Sequence, residues 1–154
     1  MKFSGEIAVN AARDAVFAKL QDIRFFASCI DGVKELAPRD ERVFDAVLET
    51  RVAYMTFRFK VTAELTEVTA PETIAAKIEG APMGLVGRLT AISSTRLAEA
   101  ADGTTLIRYE IDTALTGKLG SIGQPVLKAK AKDMEKQFAK NLCAAFAVAE
   151  KGAA

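Results

Sequence analysis

Gly117-Lys118-Leu119-Gly120-Ser121-Ile122-Gly123-Gln124-Pro125 leads into an amphipathic stretch that runs to about Lys151, and this segment decides the fold. Leu127, Ala131, Met134, Phe138, Leu142 and Phe146 recur at three- and four-residue steps. Lys128, Lys132, Asp133, Glu135, Lys136 and Lys140 cover the other side. That spacing predicts one long helix with an apolar stripe. Pro125 is expected in its first turn, where a missing N–H costs nothing. Ala144, Ala145, Ala147 and Ala149 raise helix propensity toward the end. Upstream, apart from two short helical pieces, the chain reads as strands. A sheet that curls around the terminal helix buries the stripe. The expected fold is therefore α+β: a curved antiparallel sheet of six to seven strands wrapped around a long C-terminal helix, with two short helices after the first strand. A sheet gripping a helix tends to leave a cavity between them, which points to a binding module before an enzyme.

The strands announce themselves by period two. Phe3, Gly5, Ile7 and Val9 alternate with Lys2, Ser4, Glu6 and Ala8. Asn10 is the expected N-cap of a first short helix carrying Val16, Phe17 and Leu20. Asp22 is expected to cap a second, bearing Ile23, Phe26 and Ile30, closed by Asp31-Gly32 with a positive φ at the glycine. Val33–Leu36 reads as a short strand before a turn at Pro38-Arg39-Asp40. Phe44, Ala46, Leu48 and Val52 oppose Asp45, Glu49 and Arg51, and a tight turn is expected near Ala53-Tyr54-Met55. Phe57, Phe59, Val61, Ala63 and Leu65 then face in, with Arg58, Lys60, Thr62 and Glu64 out. Ile74, Ala76 and Ile78 repeat the rhythm, which marks an antiparallel sheet with one wet face. After a break at Ala81-Pro82-Met83-Gly84 come Leu89, Ala91, Ser93, Thr95 and Leu97 on one side. A hairpin turn at Ala101-Asp102-Gly103 leads to Thr105, Ile107, Tyr109, Ile111 and Thr113. With no repeat or linker, residues 1–154 read as one domain.

Composition excludes more than it selects. The chain has 154 residues, half of them apolar, and a net charge of +1, so its overall field favours neither nucleic acid nor an acidic partner. There is no histidine. That removes Ser-His-Asp and Cys-His catalysis and the common histidine metal sites. Cys29 and Cys143 are two distant thiols, too few for a four-cysteine zinc site and suggestive of a reducing cytoplasm. No metal or catalytic constellation is expected. The N-terminal residues lack the apolar core of a signal peptide, and no apolar run approaches the ~18 residues of a membrane span.

The order of elements resembles the helix-grip plan of the START-like superfamily of ligand-binding proteins. Phe3-Ser4-Gly5, Ala27-Ser28-Cys29-Ile30-Asp31-Gly32 and Gly117-x-Leu119-Gly120-x-Ile122-Gly123-Gln124 further resemble the family of the carbon monoxide dehydrogenase G subunit. Asp31 stands where that family usually has Pro, and Val61 where Gly often follows the Phe-Lys pair. The resemblance implies an apolar ligand in the cavity, a quinone or another lipophilic molecule, with no other cofactor. It implies a role as accessory or recruitment factor for a molybdenum hydroxylase of the carbon monoxide dehydrogenase type, whose subunits would be partners. Many relatives carry a linker and a tail. Here the sequence ends at Ala154 directly after the helix, so at most peripheral membrane contact is expected.

Candidate ligand-binding residues follow from the inward pattern: Phe57, Phe59, Leu89, Ala91, Ser93, Thr95 and Tyr109 on the sheet, and Ile122, Val126 and Met134 on the helix. Phe57 and Phe59 either clamp a flat apolar ligand or fill the half-barrel. Inward Ser93, Thr95 and Thr113 hydroxyls need partners, from ligand, water or a neighbouring carbonyl. Tyr109 is placed to bond a ligand carbonyl, or else backbone. Met83 is a candidate gate residue if its loop is more than a turn. Cys29 is either a reactive thiol or a small buried hydrophobe. Lys128, Lys130, Lys132, Lys136 and Lys140 form either a contact face for anionic lipid or an acidic partner, or a solvated helix face. An assembly factor without a ligand is the alternative reading, and an enzyme of the cyclase or dehydratase kind on the same fold the weakest.

Overall fold

The alternating segments hydrogen-bond side by side because every strand offers one apolar row to a common interior. The computed structural model describes residues 1–52, 55–84 and 86–153, with side chains for all of these except 52, 55, 121–123, 126 and 147–153. The elements are β1 (Lys2–Val9), α1 (Arg13–Gln21), α2 (Ile23–Ser28), β2 (Val33–Pro38), β3 (Val43–Val52), β4 (Met55–Thr69), β5 (Thr73–Pro82), β6 (Gly87–Glu99), β7 (Thr105–Thr116) and α3 (Gly117–Ala153). The strands form one antiparallel sheet in the order β1-β7-β6-β5-β4-β3-β2. The two helices α1 and α2 sit between β1 and β2, so those strands end on opposite edges.

The register brings the sequence-predicted inward rows into line. Phe59 pairs with Leu48 and Pro82, Gly80 with Leu89, and Ala91 with Ile78 and Thr113. Thr95 pairs with Ile74 and Tyr109, and Tyr109 with Gly5. One continuous inner face results. At one end it is sealed: Ile7, Val9, Leu97 and Ile107 from the sheet, Val16, Phe17 and Leu20 from α1, and Leu142 and Phe146 from α3 make the core. Phe26 of α2 lies 5.1 Å, ring to ring, from Phe138 of α3.

Several local expectations are corrected. Asn10 does not cap α1; the N-cap is Ala12, with no side-chain bond. The corner is held instead by Ala11, whose N–H donates to the Val9 carbonyl and whose carbonyl accepts from the buried Thr105 hydroxyl. Asp22 caps α2 as expected, accepting from the N–H groups of Arg24 and Phe25. The helix stops at Ser28, so Ile30 lies beyond it. Gly32 has the expected positive φ, +92°. Strand β2 runs on through Pro38 with a bulge, and Glu35 takes a φ of +49°. Helix α3 begins at Gly117, not at Pro125, so the proline lies inside it. Burial of Leu119 and the bond from its N–H to the Val86 carbonyl hold this early segment against the sheet. That anchoring offsets the poor helix propensity of its glycines and proline. The turn expected at Ala53-Tyr54 lies outside the described residues.

Candidate functional site

The arrangement of α3 over the concave sheet is asymmetric. Its near neighbours are β7, β6 and β1. Its other flank is tied toward the far edge by side-chain bonds: Lys130 donates to the Arg51 carbonyl at 2.6 Å, Gln137 to the Asp31 carboxylate, and Asn141 to the Cys29 carbonyl at 3.0 Å. Asp31 thus ties the helix to the segment after α2. Between these supports, Phe57, Phe59, Leu89, Ser93 and Thr95 are only partly buried, although they occupy the inner face. Ala91 and Thr113 are buried beside them. The inner face opposite the first half of α3 is thus apolar on β4 and hydroxyl-bearing on β6. Among the described residues, Ser93 and Thr95 make no side-chain hydrogen bond.

The helix residues divide. Ile122 and Val126 have side chains outside the description. Met134 is 40 % exposed, so it is not sealed under the sheet. At 100° per residue it shares a flank with Lys130, Gln137 and Asn141, so it lies at the rim of the helix–sheet contact. Glu135, expected on the wet side, is partly buried. Its carboxylate lies near the Tyr109 hydroxyl, both crowding the position a Gly5 β-carbon would take. Glycine at position 5 makes this possible: a β-carbon there would stand 2.7 Å from the Tyr109 Oη and would collide with the Glu135 carboxylate. The Tyr109 hydroxyl thus faces helix α3 beside Glu135. The sequence signal for this was Gly5 on an otherwise apolar row, directly opposite the only inward aromatic hydroxyl of the last strand.

Burial and the Glu135 contact push the Tyr109 pKa well above its usual 10.0. The neutral phenol is favoured in the fold, so the associated stability is fully present below about pH 10 and is lost as pH rises from there toward the folded pKa. Of the two tyrosines, one should titrate late in an absorbance titration at alkaline pH, and Tyr109→Phe should remove that late step. An ordinary titration of both would contradict the placement.

Cys29 is buried, and burial raises its thiol pKa, with a smaller opposing effect from Ser28. It is therefore an inert structural thiol, not a nucleophile. In native protein a disulfide-exchange reagent should modify Cys29 only on unfolding; rapid native labelling in a Cys143→Ser background would contradict this. Among the described residues there is no cluster of three metal-ligating side chains, and no helix is long and apolar enough to cross a membrane. Two surface hollows lie away from Phe57, Phe59, Ser93 and Thr95. One, about 390 Å³, is lined by Glu35, Arg39, Asp45 and Lys60; the other, about 380 Å³, lies between α1 and the β4–β5 turn. In the first, Thr62 and Arg39 both donate to Asp45 and lower its pKa.

A seven-stranded antiparallel sheet packed against one long C-terminal helix defines the helix-grip fold. Solved structures agree on the fold. A conserved protein from Geobacillus kaustophilus superposes with a TM-score of 0.85 at 24 % identity, covering 96 % of this chain and 95 % of its own. A START superfamily protein from Mycobacterium smegmatis gives 0.67 at 12 % identity, covering 93 % and 94 %. No curated protein sequence matches the chain. Residues 5–147 match CoxG, the G subunit of carbon monoxide dehydrogenase. The chain belongs to the CoxG family.

Proposed function

We propose that this protein holds a lipophilic small molecule between α3 and the sheet and serves as an accessory or recruitment factor for a molybdenum hydroxylase of the carbon monoxide dehydrogenase type. The observation that carries the ligand reading is the partial burial of Phe57 and Phe59 on the inner face of β4, a strand outside the near neighbours of α3, together with that of Leu89 on β6. Large apolar side chains on an inner face are normally sealed. Here they are only partly buried, and a ligand lying against them would bury them at about 25 cal/mol per Å². The hydroxyls of Ser93 and Thr95 give such a ligand polar partners. Family membership supports the partner, and the absence of histidine supports binding without catalysis.

The test is calorimetric titration with decylubiquinone and with oleic acid, in wild type and in Ser93→Phe, which fills that space. The reading requires uptake of at least one probe, weakened about tenfold or more by the plug, equivalent to about 1.4 kcal/mol. Failure of both probes to bind would count against it. A second reading, an assembly factor that uses its surface alone, is favoured by the exposure of Met83 (49 %) and Val86 (74 %) in the β5–β6 loop. Copurification of hydroxylase subunits with Ser93→Phe but not with Met83→Asp/Val86→Asp would support that reading.

A further inference from the structure

We propose that the end of the molecule carrying Met83, Val86 and the first half of α3 docks, end-on and reversibly, onto a bilayer surface of anionic lipid. The proposal stands apart from the ligand reading above. Backbone pairing gathers three stretches of chain at this end. Arg51 near the end of β3 pairs with Thr56 near the start of β4, and the Met83 N–H donates to the Arg58 carbonyl at 2.8 Å. Arg88 pairs with Thr116, and Gly87 bridges to Gly117, where α3 begins. Lys130 of α3 reaches back to the Arg51 carbonyl.

Charge is segregated toward this end. The whole chain is balanced, with 21 basic and 20 acidic residues. Yet all 20 acids fall outside residues 50–63, 80–95 and 113–132, the three stretches that meet here. The first stretch holds Arg51, Arg58 and Lys60, and the second Arg88. The third holds Lys118, Lys128, Lys130 and Lys132. Of the acids at their borders, Glu49 is paired with Arg58, Glu79 with Lys77 and Asp112 with the N-terminal ammonium. An apolar tip projects among these bases. Met83 is 49 % and Val86 74 % exposed, and a β-carbon on Gly84 between them would meet nothing within 4 Å. That combination suits an anionic bilayer: the tip enters the headgroup layer, and each base near the surface strengthens binding about fivefold. Lysine is the commoner base in these stretches. Protein interfaces favour arginine and are depleted in lysine, so lipid is the better match than an acidic protein.

Cosedimentation of the full chain with vesicles tests this, with phosphatidylcholine alone set against phosphatidylcholine containing about one-third phosphatidylglycerol. Wild type should bind the anionic vesicles about tenfold or more tighter. Salt at about 1 M, where the screening length falls to about 3 Å, should remove the difference. Lys128→Glu/Lys132→Glu should weaken binding to the anionic vesicles about tenfold or more. Lys19→Glu/Arg42→Glu changes the net charge equally but far from this end, in the last turn of α1 and beside Leu65 of β4. It should weaken binding about twofold or less. All four side chains are exposed, and thermal melts check that both variants fold. Equal binding to the two kinds of vesicle, binding to neither, or equal losses from the two charge reversals would overturn the proposal. Hydroxylase copurification lost in Lys128→Glu/Lys132→Glu, with no vesicle binding by wild type, would also overturn it and assign this end to an acidic protein. Uptake of lipophilic probes is read separately, so the ligand reading survives each of these failures.

Discussion

Leu142→Ala should destabilise the protein by about 3 kcal/mol, the middle of the range for truncating a fully buried leucine. Leu142 is 0 % exposed and sits where β1, β6, α1 and α3 meet. It is packed among core residues of several elements, so the cavity left behind cannot collapse cheaply. At about 2–4 °C per kcal/mol for a chain of this size, the melting temperature should fall by roughly 10 °C. Met134→Ala, eight residues earlier on the same helix but at the rim, should cost under about 1 kcal/mol because little is buried there. Denaturant unfolding of both variants checks the contrast. Similar costs at the two positions would mean that α3 does not grip the sheet through its second half.

Gly32→Ala should cost about 3 kcal/mol. Two penalties act together. The residue has a φ of +92°, a region that costs an L-residue about 1–2 kcal/mol. An added β-carbon would also run into the carbonyl oxygen of Glu49, a backbone atom that cannot swing away. That carbonyl belongs to β3, and the Glu49 N–H donates to the Gly32 carbonyl at 2.8 Å, so relief of the clash would break the join between α2 and the sheet. Overpacking of this kind adds about 1–3 kcal/mol. Gly84→Ala separates the two penalties. Its φ is +80°, yet nothing lies within 4 Å of the added carbon, so only the conformational part, about 1 kcal/mol, should appear. Equal costs in thermal melts of the two variants would contradict the close approach at Gly32.

Much of this architecture was legible in the sequence because one face of the sheet is buried. A half-buried strand must alternate, and Phe57, Phe59, Leu89, Ala91 and Tyr109 therefore reveal their side of the sheet without coordinates. Gly32 was legible too, since a helix stop at Asp-Gly implies a left-handed residue. What could not be read depends on how elements meet. Glu135 has the spacing of a wet-face residue, and only the crossing of α3 over Gly5 and Tyr109 turns it inward. The early start of α3 runs against the propensities of Gly117, Gly120, Gly123 and Pro125, and it follows from Leu119 packing under the Val86 strand end. The hollow beside Arg39 and Asp45 depends on the β2 bulge and on Glu35 at positive φ, which no local pattern signals.

Native mass spectrometry of gently purified protein, run beside Ser93→Phe, bears directly on whether the inner face holds a lipophilic guest. The wild-type chain should carry the extra mass of one small lipophilic molecule, lost on organic extraction and regained on incubation with a lipid extract, while the plugged variant stays at its bare mass. A bare wild-type mass before and after incubation, indistinguishable from Ser93→Phe, would contradict the account.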